Sequence, residues 1–248
     1  MARSRRRRTA QKKAAPAAPD EPLLPYVEPE LKGRRDIYRF NEAIIDRRLR
    51  TAVAFPSEIA KLMRCPTFGV RVMPLFAPGF CEELIRLADE IDIYEPDPED
   101  PYPGREFDIN LVRPLGAVMD QVFHAYVRPA VAVAFDGYAV ERLSNVFVLR
   151  YSPDTQASMA AHFDEQSNVS MCVALNADYE GPGLSFPAYG FSTHEVAGEP
   201  ARGPAQAQLA VGEAVLFPAQ VTHLHEAPPV VAGRRYSQTW WMLGGSNA

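Results

Sequence analysis

The second half of the chain carries a succession of short β-strand patterns and contains no helical pattern between them. Strand patterns cover residues 143–151, 169–175 and 208–217, the last interrupted at Gly212, and a final one covers residues 235–243. In residues 169–175 every second residue is apolar, which places the apolar side chains on one face of a strand. Short strands separated by turns are typical of an all-β sandwich or jelly roll.

Helical patterns precede these strands. Apolar residues recur at helical spacing over residues 36–45, again over residues 80–90, and again over residues 115–127. We therefore predict an α+β chain in which a helical part, residues 31–138, packs on a jelly-roll core, residues 139–248.

The charge of the chain is distributed unevenly. Residues 1–64 hold 16 basic and 8 acidic residues, whereas residues 65–248 hold 10 basic and 23 acidic ones. Residues 1–30 are predicted to be a disordered tail, because they cannot bury enough apolar surface to offset the entropy of ordering. The basic run within residues 1–19 suits a nuclear address, a nucleic-acid tether or an organelle transit segment. A solubilising tail without a specific partner is an equal alternative.

The composition excludes several classes of protein. The longest apolar stretch, at residues 130–135, is far shorter than the roughly 18 residues that a membrane span requires. The first residues lack the apolar segment of a secretory signal. Cys65, Cys81 and Cys172 are widely spaced, which excludes a disulfide framework and a cysteine-rich zinc site. We expect an intracellular, cytoplasmic protein without a membrane partner, with a nuclear location as the alternative given by the arginines at positions 5–8.

Two histidine motifs lie in the strand-rich half, and the first is His162-Phe163-Asp164. In an extended backbone His162 and Asp164 point to the same face. An imidazole beside a carboxylate is part of a 2-His-1-carboxylate site, the ligand set that holds non-haem Fe(II) and leaves other positions open. This tripeptide also arises by chance, and a surface strand pair is the alternative interpretation.

The second motif contains His223 and His225, which share a face in an extended segment, so alternation does not choose between them. Ten residues after His225, Arg235 and Ser237 share one face of the last predicted strand. A guanidinium and a hydroxyl would therefore enter the same cavity, where an arginine is suited to binding a dicarboxylate through a bidentate pair. Arg234 should point the other way.

Together these motifs resemble the Fe(II)- and 2-oxoglutarate-dependent dioxygenases, whose catalytic unit is a double-stranded β-helix, or jelly roll. Within that superfamily the chain looks most like the catalytic domain of procollagen-lysine hydroxylases and, more distantly, like prolyl 4-hydroxylases. The resemblance runs from about Phe107 to the C-terminus. It is densest in residues 147–154, 162–164, 174–176, 179–181, 222–226 and 233–236.

The resemblance implies a role for each residue of the motifs. His162, Asp164 and His225 would hold the iron. Arg235, helped by Ser237, would bind the distal carboxylate of 2-oxoglutarate. A carboxylate at position 164 favours hydroxylation, because the related halogenases lack it.

Four further residues receive weaker predictions. The hydroxyl of Tyr151 would bond the same distal carboxylate, and a packed strand aromatic is the alternative. His223 fits an outer or cavity-lining residue better than a metal ligand. Asn168 and Ser170 follow the first motif closely enough to line the cavity.

The resemblance also implies an activity. The enzyme would hydroxylate a C–H bond of a peptidyl lysine or proline, or of a free amino acid, while 2-oxoglutarate is decarboxylated to succinate. Fe(II), 2-oxoglutarate and O2 are the implied cofactor and cosubstrates, and ascorbate is expected to restore over-oxidised iron. An acidic loop predicted over residues 95–108 could receive a basic substrate, or be only a solvated loop.

Two other functions compete with this one. A zinc- or manganese-dependent cupin-like hydrolase or isomerase could use the same ligands, although it has no need of Arg235 and Ser237. A non-catalytic jelly-roll protein could bind a partner, with residues 1–19 binding nucleic acid. The substrate and the oligomeric state are left open by the sequence.

Overall fold

The structure is a computed structural model that describes residues 37–92, 106–187 and 204–244. The predicted tail and most of the predicted acidic loop lie outside these residues. The helices are α1 (Arg47–Ala52), α2 (Pro56–Leu62), α3 (Pro78–Ile91), α4 (Arg113–Val122) and α5 (Arg128–Ala134). A π-helical turn, Phe123–Val127, joins α4 to α5, and 3-10 turns cover Glu42–Ile44 and Ile109–Leu111.

Twelve strands lie in the described part of the chain. They are β1 (Arg71–Pro74), β2 (Glu106–Asp108), β3 (Val140–Tyr151), β4 (Met159–His162), β5 (Val169–Ala174), β6 (Tyr179–Glu180), β7 (Leu184–Phe186), β8 (Ala205–Ala207), β9 (Glu213–Pro218), β10 (His225–Ala227), β11 (Ala232–Gly233) and β12 (Arg235–Gly244). A six-stranded sheet has the order β1-β9-β5-β12-β3-β2, a four-stranded sheet has the order β4-β10-β7-β8, and β11 pairs with β6. Every pair is antiparallel.

Strand β12 lies at the centre of the large sheet, between β3 and β5. Its odd-numbered residues from Arg235 to Trp241 line a cavity between the two sheets. Its even-numbered residues face the helices: the hydroxyl of Tyr236 donates to Asp89 of α3 at 2.7 Å, and Gln238 contacts Met119 of α4. One strand therefore joins the helical layer to the cavity, as the predicted α+β jelly roll requires.

The helical predictions are confirmed for the two segments in which the apolar pattern covers the most residues. The segment predicted over residues 80–90 is α3, which buries Leu84 and Leu87. The segment predicted over residues 115–127 is α4 with the π-helical turn, and it continues into α5. The pattern over residues 36–45 is not a helix but contains a 3-10 turn. Two short helices follow it, and the second begins at Pro56, whose ring suits the first position of a helix.

Two strands come from the part for which the sequence predicts only helices and a loop. Strand β1 pairs with β9, and β2 pairs with β3 so that Glu106 lies opposite Leu149. The end of the predicted loop over residues 95–108 is therefore an edge strand, anchored by the fully buried Phe107.

The strand predicted over residues 208–217 is wrong in its first half. Gly212 has a φ of +82°, and a Cβ there would overlap the carbonyl of Phe76. The chain therefore turns at Gly212 and re-enters the sheet as β9. None of the helices formed by the described residues combines the length and apolarity needed to cross a lipid bilayer.

Candidate metal centre

The three predicted iron ligands come together in the cavity between the sheets. His162 ends β4, Asp164 follows it in a turn, and His225 opens β10, where it lies opposite His162 in the strand pair. Asp164 Oδ1 lies 3.5 Å from Nε2 of His162 and 3.6 Å from Nε2 of His225. Among the described residues this is the one group of three or more His, Cys, Asp and Glu side chains placed to share a metal ion.

Each ligand is fixed through the atom that points away from the other two. Nδ1 of His162 and Nδ1 of His225 each donate to the backbone carbonyl two residues earlier, at 2.8 and 3.1 Å. Ser170 Oγ donates to Asp164 Oδ2 at 2.5 Å. Because Nδ1 carries the proton, both Nε2 lone pairs are available to a metal beside Asp164 Oδ1. The two imidazole nitrogens and the carboxylate oxygen lie on one side of the site that a metal would occupy. This donor set fits Fe(II).

The electrostatics favour the protonation states that a metal requires. Burial lowers the pKa of His225 to about 4, although the nearby Asp164 opposes the change, so the imidazole is neutral. Burial alone raises the pKa of Asp164, but its interactions with His162, His225 and Ser170 outweigh burial, so the pKa of this carboxyl is lowered. A neutral imidazole and an ionised carboxylate are therefore ready to bind a cation.

The low pKa of His225 predicts acid sensitivity of the metal-free protein. Between pH 6.5 and about 4 the unfolded chain binds a proton at this residue and the folded chain does not. The contribution to stability is complete above pH 6.5 and is lost as the pH falls toward 4. We expect the free energy of unfolding to fall by about 2 kcal/mol from His225 alone between about pH 7.5 and about pH 5.

Guanidinium unfolding of the metal-free protein at the two pH values measures this loss. The variant His225→Gln should show a pH dependence smaller by the same amount. An identical pH dependence in the variant would show that His225 is not held neutral by the fold.

The predicted cosubstrate arginine lies in the same cavity, whose volume is about 750 Å³. Arg235 is only 6% exposed, its Nη1 donates to the carbonyl of Pro182 at 2.9 Å, and its guanidinium lies 4.4 Å over the ring of Tyr151. Its Nη2 is buried without a hydrogen-bond partner. No carboxylate of the described residues forms an ion pair with it. Burying a guanidinium whose Nη2 has no hydrogen-bond partner costs free energy unless an anion pairs with it. The site therefore fits a carboxylate ligand such as 2-oxoglutarate.

The remaining predicted cosubstrate residues also line the cavity. Ser237 lies on the same face of β12 as Arg235. The ring of Tyr151 stacks under Arg235, and its hydroxyl contacts Met159 Sδ at 3.9 Å, so a bond from this hydroxyl to a carboxylate stays a prediction. Burial raises the pKa of Tyr151, which keeps the phenol protonated and able to donate.

Sequence reasoning missed several cavity residues, among them Thr239 and Cys172. They lie opposite each other on β12 and β5, with the hydroxyl 3.6 Å from the sulfur. Burial raises the pKa of Cys172 to about 12, so the thiol is neutral. Thr239 could have been found, because it continues the odd-numbered face that holds Arg235 and Ser237.

The predictions for four other residues have definite outcomes. The imidazole of His223 does not line the cavity: it contacts the carbonyl of Phe68, and only its own carbonyl reaches His225. Ser170 does not line the cavity but donates a hydrogen bond to Asp164. Asn168 donates a hydrogen bond to Gln220. Arg234 is exposed, as the alternation predicts.

The bond from Ser170 predicts an effect on metal affinity. Ser170→Ala removes the hydroxyl that donates to Asp164 Oδ2 and should weaken Co(II) or Fe(II) binding by about 10- to 100-fold. Anaerobic metal titration measures the change. Ser170→Thr, which keeps the hydroxyl, and Ser144→Ala, at an exposed position on β3, should bind the metal normally. Equal affinity of Ser170→Ala and the parent protein would contradict the role of this bond.

Comparison with known sequences gives distant relatives. No protein-family model matches the chain. It is 32% identical over 189 residues to the multifunctional procollagen lysine hydroxylase and glycosyltransferase of Caenorhabditis elegans. The match covers 69% of this chain and 23% of that protein, so the chain spans about a quarter of its length.

Comparison with solved structures supports the fold. An oxidoreductase of the 2OG-Fe(II) oxygenase family from Burkholderia pseudomallei matches 78% of this chain and 95% of its own, with 15% identity and a TM-score of 0.54. A prolyl hydroxylase from Trichoplax adhaerens, in complex with a hypoxia inducible factor oxygen degradation domain peptide fragment, matches 82% of this chain and 96% of its own, with 12% identity and a TM-score of 0.55. The jelly-roll architecture is therefore shared.

Proposed function

We propose that this chain, which belongs to the 2-oxoglutarate- and Fe(II)-dependent oxygenase superfamily, hydroxylates a C–H bond of an amino-acid side chain and converts 2-oxoglutarate to succinate. The observation that carries the proposal is a complete ligand triad in one cavity with a buried arginine whose Nη2 lacks a partner. A metal site without a need for a dicarboxylate would not require that arginine.

The side chains would divide the work. His162, Asp164 and His225 would hold Fe(II), which together with bound 2-oxoglutarate and O2 supplies the oxidation of the C–H bond. Arg235 would bind the distal carboxylate, with Ser237 beside it as a hydroxyl donor. The two sheets surround this region, so they would limit the access of water and orient the substrate. Ascorbate is expected to sustain turnover by restoring Fe(II).

The cavity lining favours a cationic substrate side chain. Its charged residues are Glu106, Asp164, Glu165 and Arg235. With Fe(II) and 2-oxoglutarate bound, the positive charges of the metal and Arg235 are offset by Asp164 and the dianion. Glu165 then adds a negative charge to the lining, which favours lysine over proline as the hydroxylated residue.

The cavity also offers the substrate a hydrogen-bond donor. Trp241 lines it next to Phe147, and the indole Nε1 is buried without a partner. Such a donor suits a carbonyl or carboxylate of the substrate. The peptide bound to the T. adhaerens prolyl hydroxylase supports a peptide as the substrate of this chain too.

The proposal is tested first without oxygen. Mixing the full chain with Fe(II) and 2-oxoglutarate should give the weak visible charge-transfer band of the chelate, and admitting O2 should give succinate. Absence of both would reject the proposal. Zinc or manganese in protein purified without oxygen, with turnover of neither cosubstrate, would instead favour the cupin-like alternative.

Substrate class is tested by mass spectrometry of paired peptides that differ only in a central lysine or proline, and of the free amino acids. We expect the mass of one added oxygen atom on the lysine peptide. Oxygen addition on the proline peptide alone would reject the electrostatic argument while leaving the oxygenase activity in place.

A further inference from the structure

Behind the metal centre, the turn before β1 contacts the loop between β9 and β10. The carbonyl of Phe68 accepts a hydrogen bond from Nε2 of His223 at 2.9 Å, and Nδ1 of His223 lies 2.9 Å from Thr222 Oγ1. Since a carbonyl can only accept, the proton on Nε2 is assigned by the geometry. The imidazole of His223 is thus fixed by the hydrogen bond from Nε2 to Phe68, although it lies outside the cavity.

Gly69 brings the turn close enough for this contact. Its φ is +70°, and a Cβ at this position would lie 2.6 Å from Nε2 of His223. No other residue type could occupy this backbone conformation without strain and also leave the imidazole in place. The turn can therefore pack against the imidazole of His223 only because residue 69 has no side chain.

The backbone of His223 also contacts one of the metal ligands. Its carbonyl accepts the hydrogen bond from Nδ1 of His225, which fixes the ring of that ligand. His223 is 9% exposed, so its position is set by protein contacts and not by water. A displaced His223 side chain would shift the carbonyl that orients His225.

The same loop is also tied to the first ligand motif. Gln220 Nε2 donates to the carbonyl of Glu165 at 3.3 Å, and Asn168 Nδ2 donates to Gln220 Oε1 at 3.2 Å. The loop between β9 and β10 therefore connects the segment of Asp164 to the segment of His225.

We propose that His223 is a positioning residue, whose imidazole, hydrogen-bonded to Phe68 and packed on Gly69, sets the orientation of His225 in the metal centre. This inference rests on the proposed function in requiring that His162, Asp164 and His225 bind a metal. The N-terminal part of the chain thereby contributes to the metal centre without supplying a ligand.

The test uses Co(II) as the probe on the full chain without oxygen, because its visible absorption reports both affinity and ligand geometry. His223→Ala should bind Co(II) about 10- to 100-fold more weakly and with an altered absorption spectrum. His223→Gln, which can still donate to the carbonyl of Phe68, should recover most of the affinity. Gly69→Ala should weaken binding in the same direction, although it removes no hydrogen-bonding group.

The double variant distinguishes a shared pathway from two separate effects. Gly69→Ala should cost little further affinity once His223 is alanine, because both changes act on one contact. Leu84→Ala, which destabilises the fold from α3, should leave the affinity of the folded protein unchanged and so controls for stability. If His223→Ala does not fold, Gly69→Ala and His223→Gln decide the question.

Parental Co(II) affinity and spectrum in folded His223→Ala or in Gly69→Ala would overturn the inference and leave the proposed function intact. Failure of the parent protein to bind Co(II) at all would overturn both. The two failures are therefore distinguishable.

Discussion

Replacing Asp164 by alanine should lower Fe(II) affinity by more than about 100-fold, beyond the usual effect of losing an outer contact, and should abolish O2-dependent succinate formation. Asp164 is the one carboxylate of the triad and lies between the two imidazoles, within 3.6 Å of both Nε2 atoms. Anaerobic calorimetry with Fe(II) and a succinate assay measure the two losses.

The matched control for this change is Asp154→Ala, which removes an exposed carboxylate from the turn after β3. Its affinity and turnover should equal those of the parent. Substantial Fe(II) binding or succinate formation by Asp164→Ala would mean that the metal is held elsewhere.

Replacing Arg235 by glutamine should raise the Kd for 2-oxoglutarate by about 30-fold or more while leaving Fe(II) affinity unchanged. The reason is that Nη2 is buried and unpartnered until a carboxylate binds. Anaerobic titration of the Fe(II)-loaded protein with 2-oxoglutarate measures the Kd. Arg234→Gln removes a neighbouring exposed guanidinium and should have no effect.

Although Arg235 is expected to strengthen 2-oxoglutarate binding, we expect it to contribute nothing to the stability of the metal-free protein or to lower it. Arg235→Met removes a partly unsatisfied buried cation, so the free energy of unfolding of the metal-free protein should stay constant or rise by about 1 kcal/mol. A large loss of stability would show that Arg235 serves the fold instead of a ligand. Unchanged 2-oxoglutarate affinity in Arg235→Gln would contradict the assignment directly.

The metal ligands could be predicted because their spacing is local or tied to a recognisable motif. Alternation places His162 and Asp164 on one face, and the structure brings them together. Alternation alone could not choose between His223 and His225, since both point the same way in a strand. The choice depends on which residue lies opposite His162 when β10 pairs with β4.

Contacts between distant segments could not be predicted from one sequence. Phe68 and His223 are 155 positions apart, and nothing in either neighbourhood marks them as partners. Strands β1 and β2 have four and three residues, too few for a periodic pattern, and they exist because longer strands offer them an edge. Ser170 meets Asp164 only because the turn between them folds back.

The central position of β12 has a consequence for synthesis on the ribosome. Strands β3 and β5 emerge first, and each keeps an open edge until β12 follows and pairs with both. During that interval the nascent chain exposes two unpaired strand edges, which are templates for aggregation. Slow translation between β5 and β12 should therefore lower the yield of soluble protein more than the same delay placed before β3, and chaperones that bind extended chain segments should restore it.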